Sequence, residues 1–576
     1  MSKIEEAPSS NYFSIFRNNK ILLHDITLIG IMMIVAACGL IYEFLVSHYA
    51  ARVLAATEVA IFGIFTIMIT AMGIGAFAAK RIKNAYTGFV VLELSISIIG
   101  ATAILIISFL ITATYLLPSL LGETYGISGA QLEGGLVNLA QKTATHLPYL
   151  VALILGILIG AEIPLIARVR EDVYGRHLKH NAGTIYGADY IGGGIGAALF
   201  VLILLTLPPI QTGIIAATVN LIAGAIFFYC YYDRITWRKT LIIGHLFITV
   251  IIVLLALFGS RWTDALEDML YRDTVIHSMT TRYQRVVITE RNMGKSEPKA
   301  YSLFINGHTQ FYSRDEQIYH SMLTYPVLAA SARQENILVI GGGDGLAVRD
   351  ILRWNPKSVT LIDLDPAIVE FFSRPHVKNG EIVNTPLLAL NEHAFSDKRV
   401  HVQIGDAFVE LDSLISDGIT FDAIIIDLPD PNHPDLNKLY STQFYAKTLR
   451  LLAGDGAIGL QSSSPYHAKK AFQSIGKTVK HAGYANVEQY HANVPSFGEW
   501  GWTIATPKGI EASRRIKRLE KLPIDDGWIT KDIMMGAFSF HQGYYDSLDE
   551  ISVNRLFSST VYEYHREGWA RENGVF

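Results

Sequence analysis

Asn336-Ile337-Leu338-Val339-Ile340-Gly341-Gly342-Gly343-Asp344-Gly345 decides how the second half of the chain folds. A short apolar run enters a glycine-rich turn, and a helical pattern starts near Leu346. Strand, turn and helix in that order open a parallel, doubly wound sheet. Outward from this stretch the alternation repeats. A strand at 359–362 ends in Asp363, one at 400–404 runs into Gly405-Asp406-Ala407, and one at 421–426 runs into Asp427-Leu428-Pro429-Asp430-Pro431. Further strands fall near 456–461, 486–490 and 501–505. This domain covers 326–510. Before it, β alternation at 284–289 and 301–305, with the turn Asn306-Gly307, marks a small β-domain over 278–325. A helical tail follows at 511–576.

In such sheets ligands bind beyond the carboxyl ends of the strands. Asp344, Asp363, Asp406 and Asp427 each lie at such an end, so the fold gathers them along one crevice. Asp363 stands 19 residues after Asp344, where an acid commonly grips ribose hydroxyls. No Lys-Ser/Thr follows the glycines, which excludes a P-loop. Asp344 inside the turn repels a pyrophosphate and suits a ligand that is cationic there. It would also serve as a plain helix cap, a reading that does not account for Asp427 and Asp430.

The first 259 residues are a different material. Apolar blocks near 24–47, 55–79, 86–117, 147–168, 183–205, 210–231 and 240–259 each reach the roughly 20 residues needed to cross a bilayer as helix. The sequence predicts a multi-pass helical bundle of seven spans, with an eighth left open, then a linker at 260–277. The first block is too long for a cleavable signal peptide. Basic residues cluster at Arg17 and Lys20, at Lys80 to Lys83, at Arg168 to Lys179 and at Arg234 to Lys239, which places those links in the cytoplasm. Seven spans then put the C-terminal half outside. Glu43 and Glu162, and Gly75 and Gly196, recur at offsets of 119 and 121, the mark of two inverted three-helix halves. Ordinary glycine packing between helices gives the same pattern.

Composition closes other routes. Hydrophobic residues make up 50% and charged residues 17%, mean hydropathy is +0.29 and net charge −4, so the chain is neither disordered nor a nucleic-acid binder. Cys38 and Cys230 both sit in apolar runs, which excludes a disulfide framework and a cysteine zinc site.

Together these residues resemble the spermidine synthase (polyamine aminopropyltransferase) family, in its multi-pass bacterial branch. The likeness rests on Tyr283-Gln284, on Asn306 to Gln310 leading to Asp315-Glu316-Gln317-Ile318-Tyr319-His320, on the Gly341–Gly345 loop, on Gly405-Asp406-Ala407 and on Asp427-Leu428-Pro429-Asp430-Pro431. It implies a Rossmann-like domain that moves the aminopropyl group of decarboxylated S-adenosylmethionine to an amine, typically putrescine, and releases methylthioadenosine. By the same resemblance Gln284, Asp363, Asp406, Ala407 and Pro434 hold the thioadenosine part. Asp344 and His320 contact the aminopropyl and polyamine chain. Asp427 takes the proton, Asp430 anchors the far ammonium, and Tyr319 and Gln461 complete the amine site. The donor is a co-substrate; neither cofactor nor metal is called for. A homodimer in the inner membrane, its catalytic domain cytoplasmic because the donor is made there, completes the expectation.

One departure touches the acceptor. Where soluble members carry Thr-Tyr after a late proline, this chain has Pro495-Ser496-Phe497-Gly498-Glu499-Trp500, which removes a phenol and adds an acid. Competing readings are a methyltransferase, opposed by Asp344 against a methionine carboxylate, transfer to a membrane-embedded amine, and a polyamine transporter with a fused synthase domain.

Overall fold

The computed structural model describes residues 19–54, 57–124, 139–140, 143–144, 146–175, 180–271, 273–294, 296–378, 380–524 and 527–572. The chain divides into two compact units, Met1–Arg272 and Asp273–Phe576.

The first unit is helical: α1 (Asn19–Leu54), α2 (Thr57–Ala78), α3 (Ala85–Thr124), α4 (Leu147–Tyr174), α5 (Asn181–Leu202), α6 (Pro209–Cys230) and α7 (Arg238–Asp268). Among the described residues these seven are long and apolar enough to cross a membrane. Most of the link between α3 and α4 lies outside the described residues. Within 260–277, read from the sequence as a linker, the helix α7 runs on to Asp268 and a strand begins at Thr274. Ala265-Leu266-Glu267 favour helix and continue α7, whose end is tied to α3 by Thr112 Oγ1 donating to the Leu266 carbonyl at 3.1 Å. Thr274–Thr280 is a strand.

The packing carries the repeat. α2 lies against α4 as α1 lies against α5. A Cβ on Gly75 would meet the Ile157 carbonyl at 2.0 Å, and one on Gly196 the Ala37 carbonyl at 2.4 Å. These are one contact in two copies, offset by 121 and 120 residues. The halves are inverted, since Arg170 near the end of α4 bonds Asp25 near the start of α1 (Nη2–Oδ2, 3.1 Å). The basic links gather at that same end. Arg168 donates to the carbonyls of Ile82 (2.8 Å) and Lys83 (3.1 Å), and Asn84 donates to that of Arg234 (3.2 Å).

The second unit opens with an antiparallel sheet of β1 (Thr274–Thr280), β2 (Arg285–Arg291), β3 (Ala300–Ile305) and β4 (His308–Tyr312) in sequence order. Asn306-Gly307 makes the β3–β4 turn, as the sequence predicts. Helix α8 (Glu316–Ala330) leads to the large sheet of β5 (Asn336–Gly341), β6 (Ser358–Asp363), β7 (Val400–Ile404), β8 (Phe421–Asp427), β9 (Leu452–Gln461), β10 (Asn486–Val494) and β11 (Gly498–Thr506). Its order is β10-β11-β9-β8-β5-β6-β7, with only the β9–β11 and β10–β11 pairs antiparallel. The buried β5 and β8 are apolar on both faces because helices cover both. They are neighbours with Asp427 in register with Gly341, so the point where the strand order reverses falls at the glycine loop. In the tail the longest helix is α9 (Thr560–Glu572).

Candidate active site

Above this switch point lies a cavity of about 780 Å³. Its wall includes Gln284, Tyr319, His320, Asp344, Asp363, Asp406, Ala407, Asp427 and Pro434. The loop that forms its floor depends on glycine: Gly341 has φ +79°, and a Cβ there would stand 2.0 Å from the Asp427 carbonyl oxygen.

The strand-end acids divide into two groups. Towards β6 and β7, Asp363 Oδ1 accepts from the Asp365 amide at 2.8 Å, and burial pushes its carboxyl up to about 6. Gln284 Nε2 donates to Asp365 Oδ2 at 2.9 Å. Asp406 caps the helix after β7 by accepting from the Phe408 amide at 3.0 Å, and it pairs with Lys438.

Towards β8 the groups are closer. One ligand atom from each of His320, Asp344 and Asp427 lies within 4.8 Å of the others. Asp427 Oδ1 accepts from the Tyr319 hydroxyl at 2.8 Å, and Oδ2 stands 4.0 Å from His320 Nε2. Burial raises the Asp427 carboxyl to about 6, against the pull of His320. His320 Nδ1 donates to Glu316 Oε2 at 2.9 Å. Burial alone would push this imidazole down; Glu316 holds it up at about 9. Glu316 itself is buried, yet His320 and Arg349, which bonds it at 2.8 and 3.1 Å, hold it down at about 2. With Glu316 holding it protonated at neutral pH, His320 brings a positive charge against Asp344 and Asp427.

Asp430 is not among the residues of the cavity wall. Its Oδ2 accepts from His565 Nε2 at 3.0 Å and from Ser463 Oγ at 3.2 Å. Its Oδ1 is buried without a partner. Gln461 is fully engaged by protein: Nε2 donates to the Leu428 carbonyl (3.0 Å) and Tyr440 hydroxyl (2.7 Å), and Oε1 accepts from the Ser463 amide (2.8 Å). It braces the loop carrying Asp427 and Asp430 from behind. Of the late-loop pair, Phe497 packs edge-on against Tyr319 at 5.9 Å, while Glu499 is paired with His491. Sequence reasoning missed Glu316, Arg349 and His565. Glu316 stands one helical turn before His320, a visible signal; His565 comes from the tail and has none.

These features define a Rossmann-like group transferase whose reaction centre is lined by acids. Known proteins narrow this. The family model "Spermine/spermidine synthase domain" matches residues 316–515. A polyamine aminopropyltransferase of Shewanella oneidensis is 49% identical over 552 residues, 96% of each chain. Polyamine aminopropyltransferase 1 of Streptomyces coelicolor is 34% identical over 547 residues, 93% of each chain. A spermidine synthase structure from Thermotoga maritima aligns with 48% of this chain and 87% of its own, at 20% identity and TM-score 0.40. The chain belongs to the polyamine aminopropyltransferase family and is an enzyme of the spermidine synthase type.

Proposed function

We propose that the enzyme transfers the aminopropyl group of decarboxylated S-adenosylmethionine to putrescine, giving spermidine and methylthioadenosine, and that its helical unit embeds it in the inner membrane. The observation that carries the acceptor is a pair of acids: Asp427 at the reaction centre, held by the Tyr319 hydroxyl, and, three residues on, Asp430 with a buried oxygen left open. A diamine offers an ammonium for each.

In this reading Gln284, Asp363, Asp406, Ala407 and Pro434 hold the thioadenosine, and Asp344 and His320 border the aminopropyl chain. The amine nitrogen attacks the methylene next to sulfur. A carbon–nitrogen bond forms, the carbon–sulfur bond breaks, and its electron pair neutralises the sulfonium. An amine of pKa near 10 is almost wholly protonated at neutral pH. Asp427, aimed by Tyr319, accepts the proton that makes the nitrogen nucleophilic. Placement beside the electrophilic carbon supplies much of the rate. Asp430, steered by His565 and Ser463, fixes the far ammonium.

Membrane embedding is supported by what the bundle exposes. Ile243, Leu246, Phe247, Val250 and Leu257 on α7 are all more than half exposed, an apolar face suited to lipid. The test of the acceptor is a kinetic panel with purified full-length protein, the decarboxylated donor and amines of graded length. Putrescine should give the highest kcat/KM; preference for a monoamine or a triamine overturns this reading.

A further inference from the structure

The interior of the helical bundle holds a polar group that the transfer reaction does not use. Glu93 on α3 is fully buried, and its Oε2 accepts from Asn220 Nδ2 on α6 at 2.7 Å. Its Oε1 has no partner. Neither do Glu162 Oε2 on α4, Tyr42 Oη on α1 and Asn220 Oδ1, each on a side chain no more than 1% exposed. Glu93, Glu162 and Tyr42 stand within electrostatic reach of one another. Asp189 on α5 also lies within electrostatic reach of Glu162.

Repeat symmetry shows that this group is an addition to the packing. The α3–α6 crossing maps onto itself at an offset of 120, so Glu93 corresponds to Gly213 and Asn220 to Gly100. At the glycine end the helices simply close up, a Cβ on Gly213 standing 3.0 Å from the Gly100 carbonyl. At the other end the same positions carry an acid and an amide. Small residues suffice to pack this crossing; the polar pair serves something else.

Among the described residues no Lys or Arg bonds the open oxygens of these acids. α1 from Ile26 to Ser47, α3, α4 before Arg168, and α6 contain no Lys or Arg. Arg168 is turned to the Ile82 and Lys83 carbonyls, and Arg170 to Asp25 and Asn181. His245 on α7, across Gly224 from Glu93, spends Nδ1 on the Leu241 carbonyl at 2.8 Å and leaves Nε2 unpaired. Buried oxygens without donors are unfavourable, and acids in such a place mark a ligand path or a charge partner.

We propose that Glu93 and Glu162, with Tyr42 and Asn220, form a second amine site, one that binds the primary ammonium group of an aliphatic amine inside the bundle. An ammonium brings three N–H donors and no acceptor, which suits a set of acceptor oxygens. Magnesium and calcium ask for six to eight oxygens, more than the four offered here. The surrounding core of aliphatic side chains suits a methylene chain. This inference goes beyond the transfer reaction and takes from it only the choice of probe.

The test is equilibrium binding of radiolabelled putrescine to full-length protein in nanodiscs, in an Asp427→Asn/Asp430→Asn background that disables the acceptor site. One saturable component should remain, displaced by methylamine. Adding Glu93→Gln with Glu162→Gln should weaken it at least about tenfold, and Tyr42→Phe, which removes only the hydroxyl, should weaken it less. In the otherwise unaltered chain Glu93→Gln/Glu162→Gln should leave aminopropyl transfer unchanged, and an unshifted thermal midpoint of the helical unit shows that the bundle of the variant folds. Loss of all saturable binding in the background, or binding indifferent to both glutamates and to Tyr42, overturns the proposal. So does displacement by sodium or potassium but not by methylamine, which would make it an alkali-cation site. Failure of transfer with every diamine would instead sink the acceptor reading and leave this one standing.

Discussion

Asp427 combines burial, a hydroxyl donor at 2.8 Å and a cationic neighbour, and these pull its carboxyl in opposite directions. Burial wins and lifts it to about 6. A base must be ionised to accept a proton, so activity is lost as pH falls through that value. We expect kcat/KM to drop by roughly tenfold per pH unit below about 6, and a flat profile there would remove Asp427 from the base role. Asp427→Asn should lower kcat by about two to four orders of magnitude while donor affinity, measured by calorimetry, stays within a factor of a few. Asp430→Asn should act on the other substrate. Loss of a charge-assisted contact of about 1.5–3 kcal/mol raises the acceptor KM by roughly ten- to a hundredfold, with the donor KM little changed. His565→Ala, which keeps the carboxylate and leaves Ser463 still donating to its Oδ2, should raise the same KM by less. Equal effects on both substrates would mean that Asp430 shapes the fold and not the acceptor end. The aspartates themselves were legible in the sequence, because strand ends are. Gln461 stood at a strand end too, yet every polar atom of its side chain is spent on protein, and no spacing rule reveals that.

Elements meet in this molecule where side chains are missing. In the bundle, a Cβ on Gly160 would stand 2.0 Å from the Met72 carbonyl, whereas one on Gly194 would meet nothing within 4 Å. Gly160→Ala should therefore lower the thermal midpoint of the helical unit in detergent, and Gly194→Ala should not. Equal tolerance of both would show that α2 and α4 are not held at backbone contact. The repeat was visible as two glycine–acid coincidences, with plain packing an equal reading. The paired carbonyl contacts join α1 to α5 in the way that α4 joins α2, as a repeat would. The end of α7 was misread for a simple reason. Hydropathy falls away after Gly259, but helix propensity does not, and a helix leaving an apolar layer keeps its hydrogen bonds regardless.

At the scale of the whole molecule the chain path sets two arguments against each other. The basic links lie together at one end of the bundle, while α7 ends beside Leu266, level with Thr112 near the far end of α3. The positive-inside tendency then sends the catalytic unit out of the cytoplasm. We propose that the catalytic unit nonetheless lies in the cytoplasm, where the proposed donor is made. A reporter fused after Phe576 should be active in the cytoplasm; activity only in the periplasm would reverse the orientation. The sequence alone determined that two materials are joined in one chain, that the second is a doubly wound sheet, and that its strand ends carry an aspartate series. Periodicity and strand-end chemistry are local properties, readable wherever they occur. Tertiary structure alone decided which acid faces which. Asp430 meets His565 from 135 residues away, and Glu162 lies within electrostatic reach of Glu93. Burial and partnership are properties of the packed chain, set by segments that sequence spacing does not connect.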